Sequence, residues 1–361
     1  MELLERTIKE DLLKNADWLA MHVVETIDKA YIPGGNNGPY LHIESPIRNT
    51  CHAIVCFRFA YLEKFEVKYL ALIEKCVSYL YHSRFRSGYR FLHRQAGPDS
   101  CNGIIGDAWI LESLVSLQWL SDKLSEKCNA KVDKLVKLII DNITINNDML
   151  VHDRNDYYKG KQSPDYTYNH QLWLYASLVQ VPKFRQLVSK FLYESDASIL
   201  KIRQDGLIYH LANVKKGKNL YNLLRYEVSN IKNPELVSYK ERGYQLFNLF
   251  AFAKIYQCMP DHDFFQGEKF NSILGYITKE FIEKLHQEDN KYAIHYNAPA
   301  FELPFIAKTF FQYNIEMQSL AFDTYNKAKD RFSIDSVFIN NDLDTMTYLC
   351  RVYELTYFLD K

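Results

Sequence analysis

Apolar positions along the chain fall into two patterns that take turns. In the first, apolar residues recur every three or four positions among charged ones, as in "LLERTIKEDLLKNADWLAMHVVETIDKA", "KYLALIEKCVSYLYHSRF", "NAKVDKLVKLIIDNI", "PKFRQLVSKFLYES", "GEKFNSILGYITKEFIEKLHQ" and "YNIEMQSLAFDTYNKAK". That spacing predicts helices with one buried and one solvated face. In the second, apolar residues cover nearly every side of the helix: "CHAIVCFRFAYLEKF", "NGIIGDAWILESLVSLQWL", "YNHQLWLYASLVQV", "GYQLFNLFAFAKIYQ", "AFELPFIAKTFFQY" and "LDTMTYLCRVYELTYFL". A helix apolar all round is a buried one.

The two kinds alternate strictly, with the buried kind starting near Cys51, Gly103, Tyr168, Gly243, Ala300 and Leu343. Six outer and six inner helices predict an all-α protein, an (α/α)6 toroid spanning residues 1–361 as one domain. An open solenoid of helix pairs is the alternative, but solenoids keep a tighter period. The connection 213–240 is longer than a helix hairpin needs and reads as a lid insertion. Its Lys215, Lys216 and Lys218 either meet an acidic sugar or form a solvated charge run.

A second repeat lies in the connections. Five short β-like stretches on the rim end in histidine: "PYLHIES" (His42), "YRFLHRQ" (His93), "DMLVHDRN" (His152), "GLIYHLAN" (His210) and "YAIHYNAP" (His295). The sixth equivalent, "RFSIDSVF", lacks one. In a toroid these loops emerge on one rim, so the five imidazoles are expected around one central depression. There each either ties a loop to a backbone carbonyl or contacts substrate.

Composition narrows the function. With 47% hydrophobic residues the chain is not disordered, and 44 basic against 44 acidic residues give no net field toward nucleic acid or an anionic membrane. A polyanion partner must therefore be bound locally. No apolar run approaches the roughly 20 residues of a membrane span, and the mixed-charge start lacks a signal-peptide layout. Seven scattered cysteines without a C-x-x-C pair suggest reduced thiols, a cytoplasmic location and no metal. Aromatic residues make up 15% of the chain, enough to pack helices and also to stack on sugar rings.

Acidic residues near the inner-helix starts are Glu44, Asp99, Asp107, Asp153, Asp156, Asp165, Glu241, Glu302, Asp342 and Asp344. An Asp before an apolar run is the usual N-cap, which suits Asp99 and Asp342. Asp107 differs: it sits inside an apolar run beside Trp109, where an unpaired carboxylate is costly. Polar residues set in apolar helices add Asn169 and His170, with Trp173 on the same helix, and Arg48, Arg94 and Arg242 suit a carboxylate or phosphate.

"DGLIYH" (205–210) followed by "RGYQLFNL" (242–249) resembles the "DG-x-x-x-H" then "RG-x-x-W" series of the six-hairpin glycosidase superfamily, and "GIIGDAW" (103–109) is similar to its glycine-containing inner-helix start. Unsaturated glucuronyl hydrolases and related proteins of polysaccharide and glycosylation gene clusters carry such strings. The resemblance implies an (α/α)6 barrel, a carbohydrate in the rim cleft and Asp acid/base chemistry. Asp99 stands where those hydrolases hold their catalytic Asp, whereas Ile105-Gly106 replaces the usual Arg-Gly. The nearest acids before "RGYQL" are Glu241 and Glu235, and the tryptophan is absent.

Glycosidic hydrolysis normally uses two carboxyl groups about 5 to 10 Å apart. Asp107, its pKa raised by burial, fits the acid role, with Asp156 or Glu241 as base. The expected function is a glycoside-hydrolase-like enzyme on a uronic-acid-containing oligo- or polysaccharide, without cofactor. His93, Arg94, Trp109, His152, Asn169, His170, Trp173, His210, Arg242, His295 and Arg48 are the candidate substrate contacts. One alternative is a sugar epimerase or lyase with His as base and Tyr or His as acid. Another is a non-catalytic glycan-binding scaffold. A zinc-dependent lanthionine-cyclase-like toroid would draw on Cys51 and Cys101 but lacks glycine-flanked ligands, and "NNDLDT" is a poor match to the magnesium motif of a terpene cyclase.

Overall fold

A computed structural model describes residues 2–95, 99–154, 163–214, 217–332 and 344–360. In chain order its helices are α1 (Glu2–Met21), α2 (Ile47–Lys64), α3 (Val67–His82), α4 (Ile105–Ser116), α5 (Glu126–Asp141), α6 (Tyr168–Leu178), α7 (Arg185–Glu194), α8 (Gly217–Lys232), α9 (Pro234–Cys258), α10 (Glu268–Gly275), α11 (Lys279–Gln287), α12 (Pro299–Phe310), α13 (Ile315–Phe332), α14 (Thr345–Arg351) and α15 (Leu355–Leu359). A single 3-10 turn, Val352–Glu354, joins α14 to α15, so the two act as one interrupted inner helix.

The inner helices close a ring. α2 packs on α4, α4 on α6, α6 on α9, α9 on α12, α12 on α15, and α14 returns to α2. Outside them, α1 lies on α2 and α15, α3 on α2 and α5, α5 on α4, α7 on α6, and α13 on α12. Asn15 Nδ2 of α1 donates to the Leu349 carbonyl at 3.2 Å, tying the two ends of the chain together. The architecture is the (α/α)6 toroid that the alternation predicts.

Burial explains why the inner helices are apolar all round. In α4 every residue from Ile105 to Val115 is buried. Trp109 and Leu111 join one hydrophobic cluster, while Ile110 and Leu114 join another. A helix between two cores has no side left for solvent, and each buried Leu, Ile or Phe side chain contributes about 1.5–3 kcal/mol. The outer helices have one solvated face and take ordinary caps: Ser125 accepts from the Cys128 amide before α5, and Thr278 from that of Phe281 before α11.

Several segments depart from the sequence reading: α1 stops at Met21 although the apolar pattern runs on to Ala30, and the run from Gly267 to Gln287 breaks into α10 and α11. α9 begins at Pro234, nine residues before Gly243, because its first turns stand above the ring and need no apolar surface; Pro at the first position costs no hydrogen bond. The connection 213–240 accordingly folds as α8 and the first turns of α9, while Lys215 and Lys216 lie outside the described residues.

The rim stretches pair with one another. β1 (Val24–Glu25) pairs antiparallel with β2 (Ala30–Tyr31), and β3 (Arg86–Ser87) with β4 (Arg90–Phe91). Isolated bridges join Glu44 to Arg94, His152 to Pro164 and Thr167 to Leu211. The first and third of these bridges link successive rim loops, while the second closes the loop between α5 and α6 on itself. Among the described residues no helix is long and apolar enough to cross a membrane.

Candidate functional site

A cavity of about 160 Å³ opens at the rim end of the inner helices. Its first wall comes from α4 and the loop before it: Arg94, Asp99, Asn102, Ile105 and Trp109. Arg94 donates to Asp99 Oδ2 at 2.9 Å and to Asn102 Oδ1 at 2.5 Å, which fixes the loop and presents an ion pair to the cavity.

The second wall is the start of α6, with Thr167, Asn169 and His170. Every α6 residue is buried except His170. Its Nδ1 lies 2.8 Å from Asp165 Oδ2. Asp165 also accepts from the amides of Thr167 (2.9 Å) and Ile104 (3.1 Å). Burial alone would raise its pKa, but the His170 ring and these amides outweigh that and hold the carboxyl below its usual range. An ionised Asp165 only accepts, so His170 Nδ1 donates to it, which fixes the orientation of the ring. Gly103, at φ +56°, makes this approach possible: a Cβ there would run into Asp165 Oδ2 and His170 Nδ1.

The third wall is α9 with the loop before α8: His210, Lys240, Tyr244 and Phe247. Lys240, Tyr244 and Phe247 are spaced i, i+4, i+7 and so share one helix face. Lys240 Nζ lies 3.1 Å from His210 Nε2 and within 5.7 to 6.0 Å of the ring centres of Tyr40, Tyr244 and Tyr292. Burial pulls its pKa down to about 8. Burial, then the Lys240 charge, then His170 keep His210 well below its usual value, so its ring is neutral. Tyr40 and Tyr244 meet hydroxyl to hydroxyl at 2.6 Å across the mouth.

Behind the cavity, Arg48 is wedged between the rings of Trp109 (4.4 Å) and Tyr296 (5.1 Å) and donates to Glu44, Asn37 and Tyr296. It is fully buried and steadies Trp109 from below. His93 and His52 meet the Trp109 ring edge-on. Burial and the charges of Arg48 and Arg94 lower the His93 pKa to about 3, and burial with Arg48 and Arg351 keeps His52 neutral too.

The rim histidines do not share one depression. Of the five, His210 lines the cavity and His93 packs behind it. His42 is exposed, His152 belongs to the bridge with Pro164, and His295 pairs with Asp289 at 2.9 Å. The five differ in burial and surroundings, so a repeated position in sequence is not a repeated direction in space. His170, from inside a helix, takes the place that the repeat assigned to rim residues.

The carboxylates sort likewise. Asp99 lines the cavity. Asp107 lies off it in a buried ion pair with Arg154, which also donates to the carbonyls of Ile139 and Tyr89. Glu241 is held by Arg203 at 2.7 Å and by the Tyr226 hydroxyl. Asp156 and Asp342 lie outside the described residues. Trp173 stacks on Phe247 and Phe250 in the core, and Arg242 is engaged by Glu288 at 2.8 Å. Among the described residues no cluster of histidine, cysteine and carboxylate groups could hold a metal ion. Cys51 and Cys101 are buried, their thiols pushed up to about 12.

No protein-family model matches the chain. Archaeal glycosylation protein Q of Haloferax volcanii is 30% identical over 359 residues, covering 90% of this chain and 91% of that protein. Among solved structures, the cellobiose 2-epimerase of Spirochaeta thermophila superposes with a TM-score of 0.60 at 11% identity, over 90% of this chain and 85% of its own. D-mannose isomerase gives 0.60 at 12% identity over 97% of both chains. An unsaturated glucuronyl hydrolase specific for heparin gives 0.55 at 9% identity, over 99% of this chain and 97% of its own. The structural likenesses are likenesses of fold, and the sequence match shows the family: the chain belongs to the family of archaeal glycosylation protein Q.

Proposed function

We propose that this protein is a carbohydrate-active enzyme of glycan assembly that epimerises or isomerises an acidic sugar by moving a proton at a carbon next to a carbonyl or carboxylate group. The observation that carries the reading is the pair of imidazoles on one cavity, His170 oriented by Asp165 and His210 neutral beside Lys240. A neutral imidazole takes the proton from the substrate carbon, and the second imidazole or the Tyr40–Tyr244 pair returns one. The Lys240 ammonium offsets the negative charge that develops on the adjoining oxygens, and it suits the carboxylate of a uronic acid. Trp109 offers the sugar an apolar edge.

The relatives' names support this direction: a glycosylation protein by sequence, and an epimerase and an isomerase of sugars by fold. The expected hydrolysis of an acidic glycan is the second reading, favoured by Asp99 on the cavity wall beside Arg94. It has one carboxylate among the described lining residues where the usual mechanism takes two.

Incubation with uronic-acid-containing oligosaccharides in heavy water separates the readings. Deuterium entering a sugar carbon without chain cleavage is the expected result. A new reducing end with no deuterium on carbon overturns it in favour of hydrolysis, and binding without either change leaves a glycan-binding scaffold.

A further inference from the structure

α8 carries its apolar stripe on the wrong side for a helix that only covers a core. Toward the body it is mostly polar: Tyr226 donates to Glu241, Glu227 meets Lys201, and Asn230 accepts from Arg203 at 2.8 Å, with Leu223 the buried apolar contact. Away from the body stand Leu220, Tyr221, Leu224, Val228 and Ile231, continued by Leu236 at the start of α9, all between 43% and 80% exposed. Positions 220, 221, 224, 228 and 231 recur at helical spacing and form one stripe along the helix. Elsewhere large exposed apolar side chains come in smaller sets, such as Met21, Val24 and Ile27, or Leu62, Phe65 and Val67, against the six of this stripe.

Charge identifies the occupant. Residues 213–236, the segment that carries the stripe, contain Lys215, Lys216, Lys218, Arg225 and Lys232 against the acids Glu227 and Glu235, in a chain that is neutral as a whole. Arg225 and Lys232 are exposed beside the stripe, Glu227 is already engaged by Lys201, and Glu235 lies 3.5 Å from Arg242. An apolar stripe flanked by basic residues is the pattern of a helix that lies in the interface of an anionic bilayer. A second copy of the chain would bring two basic strips together across a two-fold axis, which opposes pairing. We propose that α8 is a membrane-surface contact that seats the protein on anionic lipid. The inference does not depend on the reaction assigned to the cavity.

Flotation of the full chain with vesicles tests it. Co-flotation is expected with phosphatidylcholine vesicles containing about 30% phosphatidylglycerol, at least about tenfold stronger than with phosphatidylcholine alone, and weakened by salt. The double variant L224E/I231E should lose it, and R225E/K232E should lose most of it, with thermal melting unchanged because all four side chains are exposed. Failure of the wild type to float, or flotation that L224E/I231E leaves intact, overturns the proposal. So does a dimer by light scattering that L224E/I231E dissociates while no lipid binding is seen.

Discussion

Asp107 on α4 and Lys240 on α9 are both ionisable groups near the rim ends of inner helices, and burial pushes both toward their neutral forms. Asp107 has an opposite charge against it, the Arg154 guanidinium, whose remaining donors go to two backbone carbonyls. Lys240 has a neutral imidazole and three tyrosine rings, and among the described residues no carboxylate pairs with it. The first site is complete without a ligand. The second faces a cavity with its charge unbalanced. Burial of a charge therefore says little about function by itself, while burial without a countercharge beside open space invites an anion.

The cavity side of the comparison is broken most directly at His170. His170→Asn keeps an N–H to donate to Asp165 but has no nitrogen that can take a proton. On the proposed reading kcat falls about 10²- to 10⁴-fold, with the thermal midpoint nearly unchanged because His170 is the one α6 residue not buried. Deuterium exchange into substrate measures the loss. A folded variant that exchanges at the wild-type rate removes His170 from the chemistry.

The α4 side should fail in stability instead. Asp107→Asn leaves the Arg154 charge buried without its partner, which costs about 3–5 kcal/mol, and an Asp107→Asn/Arg154→Met double variant recovers much of that. Denaturant unfolding checks both. Turnover per folded molecule should stay near wild type in each, and a collapse of kcat in folded protein would return Asp107 to the catalytic role that its sequence context suggests.

The contrast also explains what was legible in the sequence. The alternation of half-apolar and all-apolar helices is local information, and it predicts the ring correctly. Arg94, Asp99, Trp109, Asn169, His170 and His210 stand out as polar or aromatic breaks at inner-helix starts, and all of them line the cavity. Lys240 and Tyr244 were hidden beside Glu241, Arg242 and Gln245 in "YKERGYQL", although the 240, 244, 247 spacing marks the face that looks inward. No periodic signal exists for Asn37, and Tyr40 and Tyr296 sit in the rim stretches "PYLHIES" and "YAIHYNAP", where the histidine and not the tyrosine is the repeated residue. Nor does one mark Arg154, 47 residues from the carboxylate it neutralises. Long-range pairing decided which buried acid was architecture, and a linear pattern does not contain it.

Lys240 gives the smallest effect and the sharpest test of the comparison. A charge-assisted hydrogen bond to an anion is worth about 1.5–3 kcal/mol, so Lys240→Met should raise KM for an acidic sugar about 10- to 100-fold. A neutral analogue should be unaffected. The sign of the pH dependence follows from burial: below about 8 the side chain is an ammonium and above it an amine. KM of the wild type for the acidic sugar should therefore climb as pH rises through about 8, while that of Lys240→Met stays flat. The groups facing Lys240 are His210, already neutral, and Tyr40, Tyr244 and Tyr292, whose pKa values burial raises, so none of them titrates in that window. Stability should move the other way. Between about 8 and the ordinary 10.5 the unfolded chain holds a proton on Lys240 that the folded chain has released, so this group's contribution to stability increases with pH across that interval. Lys240→Met should lose both slopes together, and losing the stability slope while the wild type shows no KM slope would mean that the lysine is buried there without binding an anion.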